Sequence, residues 1–443
     1  MSGHPCLLIR NARILQPDGE YLLGDVEIRG GQIVRIAPQI TLSEQDDAPS
    51  QVIDAGGLTL LPGVIDPQVH FREPGLEYKE DLTTATRACA RGGVTSFLEM
   101  PNTRPLTITQ AILDDKLKLA SEKCLVNYGF FIGATPENLP DLREANPTPG
   151  IKIFMGSMKG DLLVATDEQI EAIFAEGDRL IAVHAEDRDR IEQRRAEFRD
   201  RTDPAAHSEI QDNQAALIAT QRALRLSKKY RRRLHILHMS TAEEAELLRQ
   251  DKPSWVTAEV TPQHLLLNTS AYEKIGTLAQ MNPPLRSPHD NEVLWKALLD
   301  GVIDFIATDH APHTLEEKAK GYPNTPSGMP GVETSLPLML TQAMQGRCTV
   351  AQVARWMSAA PAKAYKIPNK GQIAVGYDAD LVLVDLNEYR PVLREELQTK
   401  CGWSPYEGWN LTGWPVMTVV GGQVVYNRGQ FDDTVRGKAL TFG

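Results

Sequence analysis

Six polar residues sit at matching points of a repeated pattern, a short apolar run that closes on a group able to bind a metal or carry a proton. GVIDPQVH ends in His70, GIKIFMG carries Lys152, LIAVHAE carries His184, LHILHMS carries His235 and His238, and IDFIATD ends in Asp309. Neutral imidazoles and carboxylates are ligands for zinc and related divalent ions. A lysine ammonium is not a ligand, because its pKa of about 10.4 keeps it protonated at neutral pH. A lysine that has reacted with carbon dioxide is different. The carbamate is an anion with two oxygens, which can bridge two metals. The chemistry open to such a set is metal-assisted hydrolysis. A metal lowers the pKa of water toward about 7, and a nearby carboxylate moves the proton. Asp309 is the one strand-end carboxylate of the set and the candidate for that transfer.

The elements that must position these groups follow from the runs themselves. Residues 63–70, 94–100, 126–133, 150–156, 180–186, 234–240, 256–260 and 303–309 read as buried strands. Between them lie charged stretches such as ATDEQIEAIFAEG and TAEEAELLRQD, apolar at i, i+3 and i+4. Apolar strands alternating with helices indicate a parallel sheet. Eight of them predict a (β/α)8 barrel, with a doubly wound sheet as the rival. A barrel collects its site at the C-terminal ends of its strands. The chain ends differ: CLLIRNARIL, DVEIRGGQIVRIA, ADLVLVDL and VMTVVGGQVVYNRGQF are β-rich. They predict a small β-sandwich built from both termini, residues 1–60 with 370–443, around a barrel at 61–369.

Composition narrows the function classes. A net charge of −11 over 443 residues argues against a general nucleic-acid binder. No run approaches the roughly 18 apolar residues of a membrane span. The first residues lack a basic stretch followed by a long apolar core, so no secretory leader is expected. Five scattered cysteines without a CxxC pair fit a reducing cytoplasm.

The blocks PGVIDPQVHFREPG, EMPNTRP, IKIFMGS, VHAED, HILHMST, TPQHLLLN, MNPPLR and IATDHAPH occur in the order found in the cyclic amidohydrolases. The chain resembles that family over nearly its whole length, and within it the dihydroorotases. The resemblance implies a barrel with a composite β-sandwich. It implies zinc bound by His70, carboxylated Lys152, His184, His238 and Asp309, with Asp309 also shuttling the proton. It places Arg72, Asn102, Asn282 and His313 on the substrate, Arg72 and Asn102 on its carboxylate. The implied reaction is the reversible cyclisation of N-carbamoyl-L-aspartate to dihydroorotate in pyrimidine synthesis. A planar guanidinium fork suits a carboxylate, and Arg72 lies two residues past His70.

Two positions depart from the family pattern. Gln68 stands where the first histidine of the strand-one His-x-His motif is usual, and an amide oxygen is a weaker zinc ligand than imidazole. One firmly bound metal and a second, weak or absent, are therefore expected. Gln263-His264 stands where two histidines are frequent, and His264 reads as structural support on strand seven. Three further points stay open at this level. One is whether the substrate is instead that of a hydantoinase or allantoinase. Another is whether the chain is a non-catalytic scaffold for aspartate transcarbamoylase, or associates with that enzyme or with itself. The last is whether 312–330 forms a mobile flap or a solvated loop.

Overall fold

The computed structural model describes residues 6–41, 49–156, 160–164 and 166–443. Residues 1–5 of the N-terminal reading and Ser157, which ends the IKIFMGS block, lie outside them.

The apolar runs form eight parallel strands: Val64–Val69, Val94–Glu99, Asn127–Phe130, Ile151–Phe154, Ile181–His184, Leu234–Ile236, Val256–Val260 and Phe305–Ile306. The third pairs with the second through its first half. It then continues past Phe131 as Ile132–Gly133, which pairs with the fourth. Closure decides against the doubly wound rival: Val69 bridges His310 in parallel, and His70 N–H donates to the His310 carbonyl at 2.7 Å. The helical stretches begin where a side chain caps free backbone N–H groups. Thr166 caps Asp167–Ala175, Thr241 caps Ala242–Asp251 and Ser287 caps Pro288–Leu299, each with a reciprocal capping box. No described helix is long and apolar enough to cross a membrane.

Strand periodicity divides the labour. Ile151, Ile153, Ile181, Val183, Leu234, Ile236, Val256 and Val260 lie in the main apolar core with helix residues such as Ile170, Leu248 and Leu294. The alternate positions turn to the barrel axis and carry Lys152, His184, His235 and Glu259. The lower axis is sealed by Ala182, Leu237, Phe305 and Tyr365.

Nine further strands form one mostly antiparallel sheet with a core of its own, including Leu7, Ile9, Val26, Leu381 and Val419. Five come from residues 6–62 and four from 381–431. The two sets are stitched where Leu381–Val384 pairs antiparallel with Thr59–Pro62. The sheet curls back on itself, with Ile33 N–H donating to the Tyr377 carbonyl at 2.9 Å. Thr59–Pro62 runs through Gly63 straight into the first barrel strand, so the sheet anchors that strand. A Cβ on Gly63 would lie 2.2 Å from Thr95 Oγ1, and only glycine fits there.

Two segments after residue 370 leave the sheet for the barrel. Near the C-terminus, Leu440 N–H donates to the Tyr128 carbonyl at 2.8 Å. Residues 392–409 reach the barrel mouth, where Trp403 Nε1 donates to the His313 carbonyl at 2.8 Å and Lys400 N–H to Glu80 at 3.0 Å.

One charged pair is sealed beside the mouth. Lys116 Nζ lies 2.9 Å from Glu99 Oε2 with both side chains almost fully buried, and Glu99 Oε1 accepts from the Phe71 N–H at 2.8 Å. Lys116→Met alone strands the carboxylate and is expected to cost about 3–5 kcal/mol in urea unfolding. Adding Glu99→Gln should recover part of that loss; additive losses would show that the pair is not coupled.

Candidate functional site

The sequence-identified residues converge at the mouth as two pairs around Lys152. On one side His184 Nδ1 and His238 Nε2 face each other at 2.8 Å, and His184 Nε2 meets Glu186 Oε2 at 2.6 Å. On the other, His70 Nε2 lies 3.1 Å from Asp309 Oδ1, and His70 Nδ1 lies 2.7 Å from Asn102 Oδ1. Gln68 Nε2 donates to the same Asp309 oxygen at 3.1 Å. Three of the residues here adopt positive φ without being glycine: Arg72 (69°), His238 (37°) and Asp309 (47°). Such conformations cost about 1–3 kcal/mol each and gather where the fold holds a side chain for function.

Burial pushes His70 below the usual histidine range and His238 well below it, the nearness of His184 and Lys152 adding to the effect on His238. It pushes Lys152 down to about 7, against the pull of Asp309 and Glu259. Lys152 therefore spends about half its time as a free amine at neutral pH, the form that reacts with carbon dioxide. Its Nζ lies 4.5 Å from the centre of the Phe154 ring.

The donor set fits a divalent ion on one condition. Among the described residues no three His, Cys, Asp or Glu side chains form a metal-holding group; each pair supplies two donors, and Lys152 as a carbamate would supply the missing anionic oxygen. His238 Nδ1 and Gln68 Oε1 are buried without a partner among the described residues. The His184–Glu186 bond is the arrangement in which a carboxylate fixes a metal-binding imidazole through its far nitrogen.

Beside the His70–Asp309 pair lies a cationic corner. Arg72 Nε donates to the Pro312 carbonyl at 3.1 Å, and its Nη2 lies 3.3 Å from His313 Nε2. Asn282 stands elsewhere, with Oδ1 2.8 Å from His207 Nε2. The Gln211 amide, oriented to satisfy its neighbours, donates to Asn282 Oδ1 and Glu186 Oε1 at 3.0 Å each. Asn282 thus joins the site through Gln211, Glu186 and His184.

Two histidines are structural. His235 points down the axis, stacked on Phe305 at 4.8 Å, and bonds Thr257 and Glu259. His264 lies not on strand seven but on the short helix Pro262–Leu266 after it, bonded to Thr261 Oγ1 and the Pro283 carbonyl. The segment 312–330 is not a solvated loop throughout. It holds the helix Leu315–Lys318, and buried Lys318 donates to the carbonyls of Gln280, Pro326 and Gly328, each at 3.0 Å.

Sequence reasoning passed over Glu186, Gln211, Lys79, Glu317 and Trp403. Glu186 had a signal, standing two residues past His184. The others join the site only through tertiary contacts between distant loops.

A family model describing the amidohydrolase family matches residues 59–425. The chain belongs to the amidohydrolase family. It is 36% identical to the dihydroorotase of Methanothermobacter thermautotrophicus over 413 residues, 92% of this chain and 91% of that one. It is 38% identical to the dihydroorotase of Halobacterium salinarum over 371 residues, 83% and 86% of the two chains. Among solved structures, it superposes on the L-hydantoinase (dihydropyrimidinase) of Arthrobacter aurescens with a TM-score of 0.92 at 32% identity, covering 99% of this chain and 100% of the other. Dihydropyrimidinase from Brevibacillus agri gives 0.90 at 28% identity, with 99% of each chain covered. Family and relatives together make the chain a hydrolase acting on cyclic amides, and enzymes of this family are generally metal-dependent.

Proposed function

We propose that this amidohydrolase is a dihydroorotase, interconverting dihydroorotate and N-carbamoyl-L-aspartate. The observation that carries the reading is the corner formed by Arg72 and His313 beside the His70–Asp309 pair. A planar cationic fork there suits a ring amide that bears a carboxylate. Dihydroorotate has that carboxylate on its ring; hydantoin and allantoin do not.

In this reading His184, His238 and carboxylated Lys152 hold a zinc ion. A bound zinc ion supplies Lewis-acid polarisation of the amide carbonyl and lowers the pKa of water. Arg72 and His313 orient the substrate carboxylate. Asn102, already bonded to His70, fixes the distance between that carboxylate and the reacting carbonyl, and Asn282 borders the far side through Gln211. Asp309, between His70 and Gln68, takes the proton of the attacking water and returns it to the ring nitrogen as the amide bond breaks. Cyclisation runs the same proton path in reverse.

His70 and Asp309 are poorer holders of a second ion, because Gln68 offers an amide oxygen in place of an imidazole nitrogen and its Nε2 donates to Asp309. Gln68→His is expected to raise tightly held zinc after mild chelation from about one ion per chain toward two. Metal analysis checks this, and two equally tenacious ions in the unsubstituted protein would contradict the assignment.

The hydantoinase reading draws support from the hydantoinase and dihydropyrimidinase structures on which the chain superposes. Rates with dihydroorotate, hydantoin and allantoin, supplied with zinc and bicarbonate, separate the two. Preference for dihydroorotate supports the proposal, preference for hydantoins replaces it, and no turnover at all favours a scaffold.

A further inference from the structure

Lys79 is a buried cation to which the preceding account gives no role. It lies seven residues past Arg72, and its Nζ is 3.1 Å from His313 Nδ1 and 3.0 Å from Glu317 Oε1. Glu317 is a hub, accepting also from the Tyr78 hydroxyl at 3.1 Å and capping its own helix by accepting from the Thr314 N–H at 3.2 Å. These contacts bring the loop after the first barrel strand against the segment after the eighth, at the corner that carries Arg72.

The hydrogen-bond chemistry fixes the His313 ring. An ammonium only donates, so His313 Nδ1 must accept from Lys79 and carry no proton. At the other nitrogen the nearest partner is the Ser327 carbonyl, 3.0 Å from Nε2, and a carbonyl only accepts, so Nε2 must carry the proton. The two shortest contacts agree on one tautomer. Glu317 Oε2, which would favour a proton on Nδ1, stands farther off at 3.5 Å. Burial and the neighbouring Arg72 push His313 down to about 3, so the ring is neutral and its tautomer is the variable that matters. The Arg72 Nη2 donor then sits 3.3 Å from an N–H rather than from a lone pair. The Nε2–H is met by the Ser327 carbonyl, while Arg72 Nη2 finds no acceptor on the ring; a carboxylate oxygen entering this corner accepts from Arg72 Nη2 and shares the Nε2–H with Ser327.

We propose that Lys79, held by Glu317, is a positioning residue that sets the His313 tautomer, so that His313 Nε2–H and Arg72 together present donors to one carboxylate oxygen of the substrate. Without Lys79, Nδ1–H can turn to Glu317, and Nε2 becomes a lone pair that repels the carboxylate. The inference rests on the proposed reading of Arg72 and His313 as the carboxylate side of the site, but its primary readout does not depend on turnover.

The experiment is ring-nitrogen NMR on ligand-free protein labelled with 15N-histidine, with the His313 signals identified by their loss in His313→Gln. The unsubstituted protein should show an unprotonated Nδ1 and a protonated Nε2. Lys79→Met should convert His313 to a mixed or reversed tautomer, and Lys79→Arg, which can still donate, should restore it. In steady-state assays Lys79→Met should raise KM for dihydroorotate by about tenfold while kcat changes far less, with Lys79→Arg recovering most of the difference. A protonated Nδ1 in the unsubstituted protein overturns the proposal without any variant. An unchanged tautomer in Lys79→Met overturns it as well. If the tautomer behaves as stated but dihydroorotate is not turned over, the dihydroorotase reading fails and the tautomer assignment stands.

Discussion

Lys152→Ala is expected to lower dihydroorotate turnover roughly a thousandfold, since on the proposed reading it helps to hold a Lewis acid that lowers the barrier by several kcal/mol. Zinc retained through gel filtration should fall in parallel, because the remaining donors form only two separate pairs, His184–His238 and His70–Asp309. Lys152→Arg tests the chemistry more narrowly. It keeps a side chain of similar length, but a guanidinium is always protonated and does not become a carbamate. It should be as inactive as the alanine variant. Turnover in Lys152→Arg within tenfold of the parent would refute a carbamate at this position, whereas loss in both variants, with the fold intact by circular dichroism, supports it. The physical basis is burial: an amine pushed down to about 7 carries a lone pair at neutral pH, and an exposed lysine does not.

Arg72→Met should raise KM for dihydroorotate by about a hundredfold, in keeping with the roughly 2–5 kcal/mol lost when one partner of a buried, hydrogen-bonded charge pair is removed. The loss should be selective. An analogue in which the ring carboxylate is an uncharged carboxamide should bind the parent and the variant to within a few-fold of each other. Arg72→Lys should restore little, because a point charge does not reproduce the fork that bonds Pro312 with one nitrogen and faces His313 with another. Equal losses for the acid and the carboxamide would mean that Arg72 supports the loop rather than the carboxylate.

Much of the barrel was legible because most strands are short apolar runs and several of the helices between them are capped and amphipathic. The ligand candidates were legible for the same reason. His70, His184, His238 and Asp309 end such runs, and the axis-facing register of Lys152 follows from strand alternation. The closure through Val69 and His310 was not legible, since no local pattern states that strand eight meets strand one. The path of residues 392–409 was hidden in another way. Their neighbours are sheet strands, and only the tertiary fold sends Trp403 to the His313 carbonyl. His264 was read from its place in the family pattern as structural support on strand seven, but Thr261 and Pro262 begin a helical turn there, the threonine hydroxyl accepting from the His264 N–H. In the Lys79–Glu317–His313 cluster, Lys79 lies 234 positions from His313, so the sequence showed an i,i+4 His313–Glu317 pair but nothing that joined Lys79 to it.

Gln68 ties these points together. One substitution in a two-histidine motif leaves the fold untouched, and it turns a carboxamide toward Asp309 where an imidazole would bind metal. On the proposed reading, the centre would be asymmetric, holding metal more firmly on the His184–His238 side than on the other. That asymmetry makes activity a real question rather than a formality. The most direct measurement is the rate of dihydroorotate opening, and of N-carbamoyl-L-aspartate cyclisation, by protein prepared without chelator and supplied with zinc and bicarbonate. The account predicts turnover in both directions with about one zinc ion per chain, and much slower opening of hydantoin. No turnover in either direction, by protein that holds zinc and carries a carbamate on Lys152, would contradict it.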